Sequence, residues 1–494
     1  MASGKRYLAV DIGAGSGRVI SATFDGHAVT MAEQARFDTA PVQTRGGLWV
    51  DALGIHRNIV AGLHHGGGEQ PRSIAIDTWG VTPSLLTRSW TLAGNPVHYR
   101  DGRTIGIPEQ IYRRIPKAAL YAETGLQELH FNTAFMLEAL QRDGLLDGAA
   151  HMLMLPDLFA FWLGGEPRLE RTNLSTTQVY DPASGTLSTA AINGIGLPDR
   201  LFTSPIAESG DLLGTLLPEV SASTGLSPEV RIVATASHDT AASVAAVPAT
   251  TRTWAYISSG TWSLMGIEIS APVKTPAAMR ATLTTEVGVG GTIRLLRNVM
   301  GLWLIQESRR QWAREGTEWS HAELAALAEA APGDGPVIDP DALDLFSPGD
   351  LPGRIRAACV ESGQPAPDSP GAIVRCALES LAQRYAQVLD LLEQVGGERI
   401  EVVHVVGGGA LNRLLCQLTA NACDRPVVAG PAESTALGNV LVQLMADGEA
   451  STLADLREIA RNSARIERYE PSPERALSAR RREAFAVRFP VPLG

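Results

Sequence analysis

Three apolar strands in succession, with no helix between them, constrain this fold more than any other stretch of the chain. Side-chain alternation and β-branched content predict strands over 6–12, 18–24 and 27–37, and Asp25-Gly26 is a strong hairpin turn between the last two. Helical spacing follows from Trp49 to His64, and a further strand over 72–77 ends on Asp77. A doubly wound nucleotide fold runs from its first strand straight into a helix, and this chain does not.

The rest of the chain extends the theme. At 494 residues it is too long for one core, so two domains are expected. Residues 107–164 read as mostly helical, with Asn132 as an N-cap and Pro156 at a first helical position. Residues 165–230 read as loops and short strands, 231–236 as a buried strand and 239–246 as the helix after it. Val247–Thr251, a proline among small residues, marks the division into domains 1–248 and 249–494. The second half then restarts, with a strand over 252–258, a tight turn at Ser258–Thr261 and a strand over 262–268, as a structural duplication would. Ile373, Ala377, Leu381, Tyr385, Val388 and Leu392 recur at helical spacing, ahead of a strand over 400–406 and a helix over 410–422. This layout fits an α/β, actin-like (ribonuclease-H-like) ATPase fold with two domains around a central cleft.

Charge and cysteine content narrow the partners. A net charge of −11 disfavours nucleic acid and anionic membrane, both of which need a basic face. No stretch approaches the roughly 20 apolar residues of a membrane span, and the apolar run behind Lys5-Arg6 stops at Asp11, too short for a signal core. Cys359, Cys376, Cys416 and Cys423 form no Cys-x-x-Cys pair, so reduced, buried thiols in a cytoplasmic monomer or small homo-oligomer are expected. Whether Cys359 and Cys376 pair is left open.

Small-residue loops at strand ends suggest the chemistry. Phosphoryl transfer needs a gripped polyphosphate, a neutralising metal and an acceptor hydroxyl beside a base. Asp11 closes the first strand and opens into Gly13-Ala14-Gly15-Ser16-Gly17-Arg18, a turn whose amides can form an anion nest. Ser258-Ser259-Gly260-Thr261 and Gly407–Gly409 repeat the pattern, and Asp239 follows the strand over 231–236. Each alone is an ordinary turn or helix-start acid; together they point to a phosphotransferase. Asp239 is expected at a helix start, capped by Ser237 or His238 and kept ionised by the helix N-terminus, as the proton acceptor. His238 is given a substrate contact. Trp79 and Trp262 read as core, and His64-His65 as a solvated loop.

Several blocks resemble the FGGY family of carbohydrate kinases: Ala9–Ala14, Ile76–Val81, Tyr99-Arg100-Asp101, Ala236–Ala241, Ser258–Gly266, Asn298–Gln306, Val406–Gly409 and Thr435–Asn439. The resemblance runs through almost the whole chain. It implies ATP-dependent phosphorylation of a ketose 1-hydroxyl, with L-rhamnulose foremost and Mg²⁺ accompanying ATP. Position by position, it implies that Ala14, Gly15, Ser16, Gly17, Arg18, Thr261, Gln306 and Gly408 bind ATP. It likewise implies that Gly80, His238, Asp239, Thr240 and Asn298 bind sugar, that Asp239 accepts the proton and that Asp11 serves the metal. One departure concerns specificity: the family block usually continues Gly-Val-Asp, and here it reads Gly80-Val81-Thr82. Losing a carboxylate there, if it faces the sugar, keeps L-fuculose, L-xylulose and L-ribulose as alternatives. The competing class is an actin- or Hsp70-like ATPase with no small acceptor.

Overall fold

The computed structural model describes residues 4–64 and 70–491, so the loop predicted at His64-His65 lies partly outside the described residues. The chain forms two compact units. The first is Met1–Ala246 with Glu268–Arg294 and Ser434–Ala464; the second is Val247–Ile267 with Leu295–Glu433 and Arg465–Gly494.

The first unit is built on a six-stranded sheet in the order Leu212–Thr215, Arg231–Val233, Ser73–Thr78, Lys5–Ile12, Ser16–Phe24, Val29–Asp38. Lys5–Ile12 pairs antiparallel with Ser16–Phe24 and parallel with Ser73–Thr78, which pairs in parallel with Arg231–Val233. The predicted strands form within about two residues of their expected ends, except that the strand expected over 231–236 stops at Val233. The helix expected over 49–64 spans Ala52–Gly62, because the Asp51 carboxylate accepts from the Gly54 amide and fixes its start.

One face of this sheet is covered late in the sequence. Helix Ser434–Ala446 packs in the first unit, and Leu437, Val440, Leu441 and Leu444 join Tyr7, Ala9, Ile20 and Ala242 in a single buried cluster. It crosses helix Asp239–Ala245 so closely that a Cβ on Gly438 would stand 1.8 Å from the Ala242 carbonyl oxygen. Only glycine allows that crossing.

In the second unit, Trp254–Ser259 pairs antiparallel with Trp262–Ile269 and parallel with Val402–Val406. This is the arrangement of the first three central strands of the other unit, as duplication predicts. Val427–Ala429 and then Glu467–Tyr469 extend the sheet. The long helix runs Pro370–Gly396, started by the Ser369 cap and stopped by left-handed Gly397 at φ 78°. The helix expected over 410–422 divides instead: a tight turn occupies Gly408–Leu411, and Asn412 caps a helix Arg413–Cys423.

Two smaller expectations shift. Asn132 precedes helix Thr133–Arg142 without capping it through its side chain, because its amide donates to Gln127 and Gln178. Pro156 is the second residue of helix Leu155–Leu163, not the first. Cys359 and Cys376 are free thiols with sulfurs 3.8 Å apart. Among the described residues no helix is long and apolar enough to cross a membrane.

Candidate active site

Adjacent strands of the first unit bring their loops together. Asp11 and Asp77 are register partners on neighbouring parallel strands, and Thr78 bridges to His238, its amide donating to the Ser237 carbonyl at 2.9 Å. Asp11, Asp77 and the His238-Asp239 pair thus share one edge of the sheet. Asp77, which the sequence marked only as a strand-ending carboxylate, is fully buried. One of its oxygens accepts from Asn439 Nδ2 at 2.7 Å, and Oδ1 has no hydrogen-bond partner among the described residues. Burial, with the Asp11 charge beside it, raises its pKa well above the ordinary aspartate value. The signal for Asp77 was its position: the same strand end as Asp11, one strand over.

The glycine hairpin has divided duties. Gly13 N donates to the Ser16 carbonyl at 3.0 Å, and Thr39 Oγ1 donates to the Gly13 carbonyl at 2.6 Å, closing the turn over Ala14 and Gly15. A Cβ on Gly15 would meet open space. A Cβ on Gly17 would stand 2.2 Å from the Phe37 ring, so this glycine, expected to admit phosphate, makes room for an aromatic side chain. Arg18 Nη2 donates to Asp11 Oδ2 at 2.5 Å across the hairpin. The cation expected at phosphate and the carboxylate expected at metal hold each other in this structure.

Asp239 begins helix Asp239–Ala245 as expected, but two details are corrected. His238 is the N-cap residue and makes no side-chain cap, while Ser237 Oγ donates to Glu170 at 2.8 Å. Burial raises the Asp239 pKa above its ordinary value, against the Thr240 amide and hydroxyl that donate to Oδ1 at 2.6 and 3.2 Å. A raised pKa brings a carboxylate closer to the basicity a proton acceptor needs. The Thr240 hydroxyl, expected on sugar, is directed to Asp239.

Glu170 holds this loop in place and sequence reasoning missed it. Its Oε2 accepts from Thr172 N and Oγ1, Asn173 N, and Ser237 N and Oγ, while Oε1 accepts from Ser209. Nothing in its sequence neighbourhood announces this, because its partners lie up to 67 positions away. Glu286 and Arg294 are two further unpredicted residues. They form a buried ion pair at 2.9 Å behind His238, and Arg294 holds the Glu286 pKa down although burial pushes it up.

Gly80 follows strand Ser73–Thr78 and stands beside Thr176 and His238. A Cβ on it would come within 3.1 Å of Thr176 and 3.4 Å of His238 Nε2. Its neighbour Val81 is left-handed at φ 63°, tied down by Thr176 Oγ1 and Thr133 Oγ1. The Thr82 hydroxyl accepts from Trp79 Nε1 at 2.7 Å, and both residues are buried. Trp79 packs near His98 and Tyr99, a core role as expected.

The second unit carries the other candidates. Thr261 and Gln306 meet at 3.2 Å, Thr261 Oγ1 donating. A Cβ on Gly301 would stand 2.5 Å from the Trp262 backbone, so this glycine lets helix Trp303–Arg314 start against the Ser258–Thr261 turn. Cβ atoms on Gly407 and Gly409 would press on Ser259, at 2.9 and 2.0 Å, whereas one on Gly408 would meet open space. Asn298 lies on strand Ile293–Met300, partly buried.

The family model for the N-terminal domain of the FGGY family of carbohydrate kinases matches residues 6–246, and that for the C-terminal domain matches 255–446. A rhamnulokinase of Bacteroides thetaiotaomicron is 40% identical over 481 residues, covering 96% of this chain and 98% of that protein. A rhamnulokinase of Enterococcus faecalis is 37% identical, with 98% of each chain covered. Among solved structures, a ligand-bound xylulose kinase from Lactobacillus acidophilus superposes with a TM-score of 0.79 at 16% identity, over 98% of each chain. Plasmodium falciparum glycerol kinase with ADP superposes at 0.75, also at 16% identity and over 98% of each chain. The shared fold is the two-domain actin-like ATPase fold expected from the strand order.

Proposed function

Because the chain belongs to the FGGY family of carbohydrate kinases, we propose that it transfers the γ-phosphoryl group of ATP to the 1-hydroxyl of L-rhamnulose, giving L-rhamnulose 1-phosphate and ADP. The observation that carries the site assignment is the shared sheet edge of Asp11, Asp77 and His238-Asp239 beside the glycine hairpin. The acceptor follows from the curated rhamnulokinases, similar over nearly the full length of this chain.

In this reading Asp239 accepts the proton of the 1-hydroxyl as its oxygen bonds to phosphorus and the bond to ADP breaks. Gly80, His238, Thr240 and Asn298 serve the sugar. The amides of Ala14 to Gly17 hold phosphate oxygens, and Arg18 exchanges its Asp11 partner for them. In the second unit Thr261, Gln306 and Gly408 contact the nucleotide, so residues 1–248 carry the phosphate contacts and the sugar contacts other than Asn298, and 249–494 carry the rest of ATP.

Magnesium fits the carboxylates of the first unit. Among the described residues no three His, Cys, Asp or Glu side chains form a direct metal cage. Magnesium keeps several of its own waters and takes one or two carboxylates, and the buried, unpartnered Asp77 Oδ1 beside Asp11 suits such a water shell. Asp11 would hold the ion, which when bound neutralises charge on the phosphates.

Thr82 bears on the acceptor. Its hydroxyl is engaged by the Trp79 indole, so this position, where the family usually carries a carboxylate, is spent on fixing Trp79. A different L-ketose is the second reading, favoured by that same missing carboxylate. ADP release should be measured with L-rhamnulose, L-fuculose, L-xylulose and L-ribulose. A kcat/KM more than tenfold higher for another ketose would replace rhamnulose, and rapid ADP release without any sugar would favour the acceptor-free ATPase. Four buried free thiols favour the cytoplasm.

A further inference from the structure

We propose that Arg294, with Glu286 as its counter-ion, is a positioning residue for the acceptor: it holds His238 in the tautomer with its proton on Nε2, so that this nitrogen can only donate to the sugar. The proposal rests on the reading that a ketose lies beside His238 and Asp239.

A guanidinium is a donor at every nitrogen and accepts nothing. Arg294 is fully buried, and its Nη2 lies 2.9 Å from Glu286 Oε2 and 3.2 Å from His238 Nδ1. Its Nε donates to the Val287 carbonyl at 3.2 Å, which fixes the plane of the group. With Nη2 donating to both neighbours, Nδ1 must be the acceptor, and a neutral imidazole then carries its hydrogen on Nε2.

The alternative arrangements conflict with their surroundings. If Nδ1 carried the proton and gave it to Glu286, it would do so over 3.4 Å, longer than either Arg294 contact. It would also face an Arg294 N–H with its own N–H. The Nε2 lone pair would then point at the Asp239 carboxylate, 3.5 Å away. An Nε2–H at that separation is attracted to Asp239 without being locked to it. Gly80 is a neighbour of this nitrogen, an added Cβ standing 3.4 Å from it.

A division of labour on the acceptor follows. Asp239 takes the proton of the reacting 1-hydroxyl. His238 Nε2 donates to the oxygen on the adjacent carbon, which in a ketose is a good acceptor. The site therefore selects sugars with vicinal oxygens in which the second oxygen accepts a hydrogen bond, and Arg294 enforces this without touching substrate. Glu286 supplies the charge that makes a buried guanidinium tolerable.

The test has one readout without substrate and one with it. In the ligand-free, full-length enzyme labelled with ¹⁵N-histidine, His238 is assigned by comparison with a His238→Asn variant. Its Nε2 should be protonated and its Nδ1 bare. Glu286→Gln should leave that tautomer unchanged, since Arg294 sets it. The paired variant Arg294→Met with Glu286→Leu removes both charges together and so strands neither. It should lose the tautomer preference and raise the ketose KM about tenfold, the loss of one well-placed hydrogen bond, with the ATP KM within about twofold of wild type. A wild-type His238 protonated on Nδ1 would overturn the proposal. So would a tautomer that flips in Glu286→Gln, or a folded paired variant with wild-type ketose KM. Failure to phosphorylate any ketose would sink the substrate reading and leave the ligand-free tautomer result standing.

Discussion

Adding a single methyl group at Gly438 should damage both stability and turnover. A Cβ there would stand 1.8 Å from the Ala242 carbonyl oxygen, 2.4 Å from its carbon and 3.1 Å from its Cα. Contact becomes ordinary at 3.4 Å, so helix Ser434–Ala446 and helix Asp239–Ala245 must separate by about 1.6 Å. The obstructing atoms are backbone, so no rotamer change relieves the clash and Ala242→Gly would not rescue it. Overpacking of this kind costs about 1–3 kcal/mol, and the separation needed here puts Gly438→Ala near the upper end. The gain in helix propensity from glycine to alanine returns up to about 1 kcal/mol. The net loss, about 2 kcal/mol or slightly more, should lower the melting temperature by several degrees. Function should suffer more. The moved helix carries Asn439, whose amide holds Asp77, and the helix it pushes against begins at Asp239. Misplacing catalytic groups by about 1 Å can cost roughly 10²-fold. Calorimetry and steady-state ADP release on the purified variant measure both effects. Wild-type melting and turnover in Gly438→Ala would refute the close-crossing argument.

Two further outcomes follow from the carboxylates. Asp239→Asn should keep ATP and sugar binding but lower turnover about 10²–10⁴-fold; in wild type, kcat/KM should rise with pH through a midpoint above the ordinary aspartate value, because only the ionised base works and burial raises its pKa. Asp239→Asn with near-normal turnover would remove this residue from the chemistry. Asp77→Asn can keep the Asn439 hydrogen bond and removes a buried charge. A carboxyl whose folded pKa is raised favours the folded state at low pH and loses that advantage as pH rises through the folded value. The variant should therefore melt above wild type at pH 8 and level with it in acid, and a lower melting temperature at pH 8 would contradict the charge burial described here.

The sequence was most legible where local physics sets structure alone. The hairpin at Asp25-Gly26, the strand ends at Asp11 and Asp77, and the long helix through Ile373 to Leu392 all form close to where alternation, turn residues and helical spacing placed them. Glycine was the least legible residue. Gly15 and Gly408 leave open space beside their loops, as a ligand-facing role requires, whereas Gly17, Gly409 and Gly438 exist for Phe37, Ser259 and the Ala242 backbone. The letters are identical, and only the neighbour brought in by folding separates the two uses.

By itself, then, the sequence determined the succession of strands along the chain, the family and the candidacy of Asp239 and His238, because these depend on residue type and short spacing. Only the tertiary structure decided that Glu170 holds the Ser237 loop, that Arg294 and Glu286 stand behind His238, and that burial raises the Asp239 pKa against the Thr240 hydrogen bonds. Each of these depends on groups between about 50 and 70 positions apart, or on water excluded by the whole fold. Hydrogen bonding and desolvation act through space, and a chain read residue by residue carries no distances.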